Sequence, residues 1–261
     1  MKKEKIAETS DKKISQITLP DERYYEVNGK YLPSVTWILE SYPKGIGFYK
    51  WLASEGWNEA QSKKELAGDK GSKVHNAIQE LLKGKEVKWG DKFWSELDGE
   101  FSPLTIEEWE ALIAFKNFWD DKKPQLIASE RVCWSGKYDY AGTIDAILML
   151  DNKVTIVDWK TSRSIYPTYS MQVAAYLRAE AETGDYKATQ AAIVRLGTNH
   201  KSGYEVKILD EIYRYFQQFL AVKSVWAIEN GEKQPELVEI PESIKLEIKK
   251  LVKKDGGQKK S

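Results

Sequence analysis

Residues 142–176, GTIDAILMLDNKVTIVDWKTSRSIYPTYSMQVAAY, restrict the possible folds of this chain more than any other stretch. Two alternating apolar runs, 143–150 and 154–160, flank Asp151-Asn152-Lys153 and predict an antiparallel hairpin. Side chains two apart on a strand share a face. Asp158 and Lys160 therefore align with Val154 and Ile156, and Asp145 aligns with Ile147 and Met149. Two carboxylates and an ammonium on apolar faces must be ion-paired, metal-bound or at the open end of a sheet. A helix is expected next, over 170–183, with Gln172 and Tyr176 four apart on one face.

The rest of the chain is long enough, at 261 residues, for one large domain or two small ones. Forty basic and forty acidic side chains cancel, so a polyanionic partner has to meet a local basic surface. Cys133 is the single cysteine, which excludes a disulfide framework and a four-cysteine zinc or iron–sulfur site within this chain. No apolar run reaches the length of a membrane span, and MKKEKIAETSDKK has no apolar signal core. A cytoplasmic enzyme or binding protein without a membrane partner is expected.

The expected organisation is a flexible basic arm over 1–18, a single domain over 19–252 and a flexible tail over 253–261. Within the domain, the core spans 66–230 behind a helical, aromatic-rich segment at 19–65. That segment starts with a hairpin over 24–32, turning at Asn28-Gly29, and a short helix from Trp37 capped by Ser34 or Thr36. A second helix is expected over 48–57. Tyr42, Phe48, Tyr49, Trp51 and Trp57 lie among Lys44 and Lys50. The pattern fits ordinary helix packing or a stacking platform for unpaired bases flanked by phosphate-binding lysines, and spacing alone does not separate the two.

An amphipathic helix over 71–82 turns His75 inward with Ile78 and Leu82, either as a hydrogen-bonded core residue or as a ligand. Residues 85–103 read as an irregular excursion or lid. Thr105 and Glu108 form a capping box that starts a helix ending near Asp121. A strand over 126–134 carries Glu130, which is a surface residue, a ligand or an acceptor for Lys160. Strands over 188–196 and 204–209, a long helix over 210–229 and a basic helix over 241–252 follow.

Two carboxylates and an imidazole can hold one or two hard divalent ions, and oxygen ligands favour Mg²⁺ or Mn²⁺. Zinc would recruit more nitrogen and sulfur than His75, His200 and Cys133 offer. A lysine beside such an ion suits hydrolysis of a phosphodiester.

The order GSKVH, GTID, DWKT and QVAAY, over roughly 71–177, resembles the RecB-like branch of the PD-(D/E)XK nucleases. The segment LPSVTWIL is further similar to the group containing the mitochondrial genome-maintenance and phage exonucleases. The resemblance implies an α/β fold: a mixed central β-sheet flanked by helices, with a helical N-terminal segment. It implies that His75, Asp145, Asp158 and the Trp159 carbonyl bind the metal, and that Lys160 is the catalytic lysine. Glu130 falls where related enzymes often carry an acid before the hairpin. Thr161, Gln172 and Tyr176 would order the site and the nucleic-acid backbone. No iron–sulfur cluster is expected, because the four cysteines of the CRISPR-associated relatives are missing. The implied activity is that of a Mg²⁺- or Mn²⁺-dependent DNA exonuclease preferring single-stranded ends. It would serve DNA repair or recombination beside replication or recombination proteins, in the host cytoplasm if phage-encoded. A structure-specific or duplex endonuclease and a non-cleaving DNA-binding module remain as alternatives.

Overall fold

In the computed structural model, which describes residues 6–9, 12–18, 22–197, 201–231, 233–235 and 245, an antiparallel sheet comes first. Its strands are β1 (Ile6–Thr9), β2 (Lys12–Thr18), β3 (Arg23–Val27) and β4 (Lys30–Pro33), in that spatial order. The stretch expected to be a flexible arm over 1–18 thus supplies two strands. The cause is long-range: Ile14 faces Val27 and Ile17 faces Tyr24 across the β2–β3 ladder, and all four are buried. Lysines at 12 and 13 mask that apolar content in the sequence. Asn28 and Gly29 close the β3–β4 turn with φ of 53° and 77°, as the hairpin expectation requires.

Helix α1 (Val35–Glu40) is capped by Ser34, whose hydroxyl accepts from the Trp37 backbone N–H at 3.1 Å. Helix α2 (Ile46–Glu55) breaks at Gly56, and α3 (Trp57–Leu82) then runs for 26 residues. The helix expected to start at Gly71 therefore starts fourteen residues earlier. Its first half buries only Ala60 and Asp69 and so carries no apolar period to read.

The excursion over 85–103 holds a small antiparallel pair, β5 (Lys92–Trp94) and β6 (Phe101–Pro103). The buried Asp69 carboxylate of α3 pins its tip, accepting from the Glu96 and Leu97 backbone N–H groups at 2.5 and 3.2 Å. The capping box of Thr105 and Glu108 opens α4 (Ile106–Lys122). A buried ion pair ties that cap to α3, with Lys73 Nζ 3.0 Å from Glu108 Oε2.

The central sheet comprises β7 (Gln125–Ser135), β8 (Tyr140–Leu150), β9 (Lys153–Lys160), β10 (Gln190–Leu196) and β11 (Tyr204–Ile208), in the order β11-β10-β9-β8-β7. Its β9–β10 pair is parallel, bridged by α5 (Pro167–Thr183); the other pairs are antiparallel. The β8–β9 turn places Asp151 and Asn152 at φ of 48° and 61°, the two left-handed residues that a tight hairpin needs.

Helices cover both faces of this sheet. Val173 and Ala174 of α5, with Phe216 and Phe219 of α6 (Ile212–Asn230), pack with Ile144, Ile147, Ile156 and Ile193. On the opposite face, Val74 and Ile78 of α3 and Phe115 and Phe118 of α4 pack with Ala146, Leu148, Val157 and Trp159. Trp159 is fully buried, with its ring edge-on to Phe115 at 5.1 Å. Truncating an aromatic in such a place costs about 3–5 kcal/mol. Cys133 lies in the β7–β8 ladder opposite Gly142 and is buried, which pushes its thiol pKa up. The mixed α/β architecture agrees with the sequence reading. The basic helix expected over 241–252 and the tail over 253–261 fall outside the described residues, Lys245 apart. Among the described residues no helix is long and apolar enough to cross a membrane.

Candidate active site

The β8–β9 ladder runs from the Leu150–Lys153 pair to the Ala146–Val157 pair and stops there. Beyond it the Asp145 carboxylate takes over, Oδ2 accepting from the Trp159 backbone N–H at 2.8 Å. Strand β9 stays supported on its other side, because its parallel pairing with β10 continues to Lys160 and Arg195. The carboxylates and the lysine thus stand where the hairpin opens.

Pro167 begins the first turn of α5, which aligns Tyr169, Gln172 and Tyr176 at i, i+3 and i+7. Gln172 Nε2 donates to Asp158 Oδ1 and to the Tyr176 hydroxyl oxygen, both at 3.0 Å. Lys160 Nζ lies 2.7 Å from Asp158 Oδ2. At that distance the Lys160 ammonium pairs directly with the buried oxygen, a charge-assisted contact. A Cβ on Gly142 would run into the Tyr176 ring. The glycine of GTID and the tyrosine of QVAAY are therefore one packing unit.

From α3, His75 Nε2 lies 3.0 Å from the Trp159 carbonyl oxygen, which can only accept, so that nitrogen carries the proton. Its Nδ1 faces Asp145 Oδ1 at 3.6 Å. One turn on, Gln79 Nε2 donates to the Asp145 carbonyl at 3.4 Å.

Glu130 sits between the Ser129–Ala146 and Arg131–Ile144 pairs of the β7–β8 ladder and hence opposite Asp145. Its φ of 50° puts a non-glycine residue in the left-handed region at that point. Thr161 approaches α3 at Gly71, where an added Cβ would stand in ordinary contact with the hydroxyl oxygen at 3.7 Å. All nine residues singled out in the sequence line one groove of about 1760 Å³: His75, Glu130, Asp145, Asp158, Trp159, Lys160, Thr161, Gln172 and Tyr176.

Charge is distributed unevenly in the site. Burial works against charge on His75 and Lys160, yet the carboxylates of Asp145 and Asp158 outweigh it and raise both pKa values. Burial also works against an ionised Asp145, but His75 and Lys160 hold that carboxyl below its ordinary range. For Asp158 burial wins, pushing the carboxyl up to about 6, with the Lys160 ammonium opposing and the Asp145 carboxylate adding. Perturbed acids inside a cleft cluster at functional sites, although structural ion pairs shift acids too.

The family model of the PD-(D/E)XK nuclease superfamily matches residues 48–252.

The chain belongs to the PD-(D/E)XK nuclease superfamily.

The matched span takes in every candidate residue named above. No curated protein matches the chain. The crystal structure of SSO0001 is similar at 19% identity, over 44% of this chain and 61% of that chain, with a TM-score of 0.25. A superposition that loose informs neither fold nor function.

Nucleases of the PD-(D/E)XK superfamily generally use divalent metal ions. The donor chemistry in this groove suits one: two carboxylates, a main-chain carbonyl and an imidazole. Among the described residues no three His, Cys, Asp or Glu side chains stand ready around a common point, and His75 is turned onto the Trp159 carbonyl.

Four neighbours were not visible in the sequence as site residues. Tyr169 places its ring centre 4.8 Å from Lys160 Nζ. Tyr25 and Thr143 share a hydrogen bond of 2.9 Å that ties β3 to the strand of Asp145. Gln79 is the fourth. Tyr169, three residues before Gln172, and Gln79, four residues after His75, each had a local signal on a helical face already singled out.

In the aromatic segment, helix α2 buries none of its residues, and Phe48, Tyr49 and Trp57 are 40, 54 and 66% exposed. Phe48 packs on Tyr49 and Trp51, and Tyr42 packs against the core. Trp51 lines the groove together with Trp94, Tyr166, Arg23, Lys64 and Arg163.

Proposed function

We propose that the chain is a Mg²⁺- or Mn²⁺-dependent DNA exonuclease of the RecB-like branch, acting on single-stranded ends. The observation that carries this reading is the joining of His75, Asp145, Asp158, Lys160, Gln172 and Tyr176 around one groove. Preference for a single strand is supported by the exposed rings of α2 and by Trp51, Trp94 and the cations inside the groove. The nuclease domain is assigned to 19–252.

Asp145, Asp158, the Trp159 carbonyl and His75 would hold the ion, His75 by leaving the carbonyl. When bound, the ion polarises the phosphate and lowers the pKa of a water molecule. Lys160 presents an ammonium that orients that water and offsets the charge developing on the phosphate oxygens. Gln172 fixes one oxygen of Asp158 and leaves the other for Lys160 or the metal; Tyr176 holds the Gln172 amide in turn. Glu130, opposite Asp145, adds a third carboxylate on the substrate side. Thr161 packs against α3 and keeps the end of β9 in place. Such an enzyme would work in the cytoplasm beside replication or recombination proteins.

The test is digestion of an end-labelled linear single strand beside its circular form, with Mg²⁺, Mn²⁺ or EDTA, using wild type and Lys160→Ala. Metal-dependent loss of the linear strand alone, abolished in Lys160→Ala, is the expected result. Cutting of the circle would reassign the enzyme as an endonuclease built on the same residues. Binding without cutting of either would make it a non-cleaving module.

A further inference from the structure

Lysine reaches its ammonium through four rotatable bonds, so a catalytic lysine needs partners that hold it. Lys160 has two. Asp158 Oδ2 lies 2.7 Å from Nζ, and the centre of the Tyr169 ring lies 4.8 Å from it, within the range of a cation–π contact. The lysine side chain is only 17% exposed, so the ring acts on a largely desolvated charge. Arg195, which pairs with Lys160 across the β9–β10 ladder, is committed elsewhere: to Glu205 at 2.7 Å and to the Arg163 carbonyl at 2.8 Å.

The ring itself is braced. Tyr169 lies in the first turn of α5, its backbone N–H donating to the Tyr166 carbonyl at 3.1 Å, and the Tyr166 ring stands edge-on at 5.5 Å. One turn later on the same helix, Gln172 fixes Asp158. A single turn of α5 therefore controls both members of the Asp158–Lys160 pair: an amide orients the carboxylate and a ring confines the ammonium.

We propose that Tyr169 is a positioning residue for Lys160, confining the ammonium between its ring face and Asp158 so that it points into the groove. This rests on the reading of Lys160 as the lysine of a phosphodiester hydrolase. The ring removes the alternative in which the ammonium swings into solvent and meets the substrate phosphate only part of the time. The contribution then falls on turnover and not on substrate affinity.

The experiment compares steady-state cleavage of a fluorescein-labelled single-stranded oligonucleotide by wild type, Tyr169→Leu and Tyr169→Phe. Anisotropy of the same oligonucleotide in EDTA gives the metal-free Kd. Tyr169→Leu should lower kcat about tenfold with KM and metal-free Kd unchanged, and Tyr169→Phe, which keeps the ring face, should recover most of that loss. In a Lys160→Ala background Tyr169→Leu should have no further effect. A raised KM or weakened Kd at unchanged kcat would make Tyr169 a substrate contact and overturn the proposal. So would a Phe variant as slow as the Leu variant, which would place the role on the hydroxyl, or a Leu variant as fast as wild type. If Tyr169→Leu does not fold, Tyr169→Met keeps the bulk without the ring and answers the same question. Wild-type cleavage by Lys160→Ala alone would instead sink the underlying reading of the site.

Discussion

The Asp145 carboxylate accepts the Trp159 backbone N–H at 2.8 Å, at the level where the backbone ladder between their strands has ended. One acid therefore serves the fold and the site together: Oδ2 holds the strands in register while Oδ1 faces His75.

Asp145→Ala should cost about 1–3 kcal/mol, because the buried Trp159 N–H loses its acceptor. Asp145→Asn keeps an acceptor oxygen and should retain most of that stability while still losing cleavage. Urea melts beside an oligonucleotide digest check both halves; equal stability of the two variants would contradict the dual role.

If Asp158 is a ligand, millimolar Mn²⁺ raises the melting temperature of wild type and of Lys160→Ala but not of Asp158→Ala. A ligand at about a hundred times its Kd stabilises by about 2.7 kcal/mol, which thermal shift resolves. A full shift in Asp158→Ala would remove that carboxylate from the proposed ion site.

Gly142→Ala should overpack the Tyr176 ring, costing about 1–3 kcal/mol, and slow cleavage by disturbing the Gln172–Asp158 contact. Adding Tyr176→Ala should restore much of the lost stability without restoring activity. Additive losses in the double variant would show that the two positions do not touch.

Trp51→Ala should weaken binding of a single-stranded oligonucleotide by about 1–3 kcal/mol, the contribution of one stacked base, while leaving the unfolding midpoint in place. The second half follows because α2 buries none of its residues. Fluorescence anisotropy and a denaturant melt give the two readings.

Lys73→Ala should be among the most destabilising changes away from the site, at about 3–5 kcal/mol, because it strands the Glu108 carboxylate in the interior. The pair Lys73→Met with Glu108→Gln removes both charges, keeps an oxygen for the Thr105 N–H and should cost much less. A double variant as unstable as the single one would count against the ion-pair explanation.

Features written into short stretches were legible in advance. The Asp151-Asn152 turn, the Ser34 cap, the Thr105–Glu108 box and the Gln172–Tyr176 spacing each depend on residues at most four apart, and the structure shows each of them. What escaped depends on partners far along the chain. Strand β2 exists because Ile14 and Ile17 meet β3, the β5–β6 pair because Asp69 reaches residues 96 and 97, and the Tyr25–Thr143 bond spans 118 positions. The first half of α3 escaped for a different reason. It faces the groove and not the core, and a helix that leaves space for a substrate has no apolar stripe to announce it.

Cys133 gives the molecule a built-in sensor. It is the single thiol, it is buried on strand β7 in the core between the sheet and the helices α5 and α6, and a disulfide reagent reaches it only when that packing opens. The labelling rate, followed with and without Mn²⁺ or oligonucleotide, therefore clocks how often the helices beside the groove lift from the sheet, with no probe added to the chain.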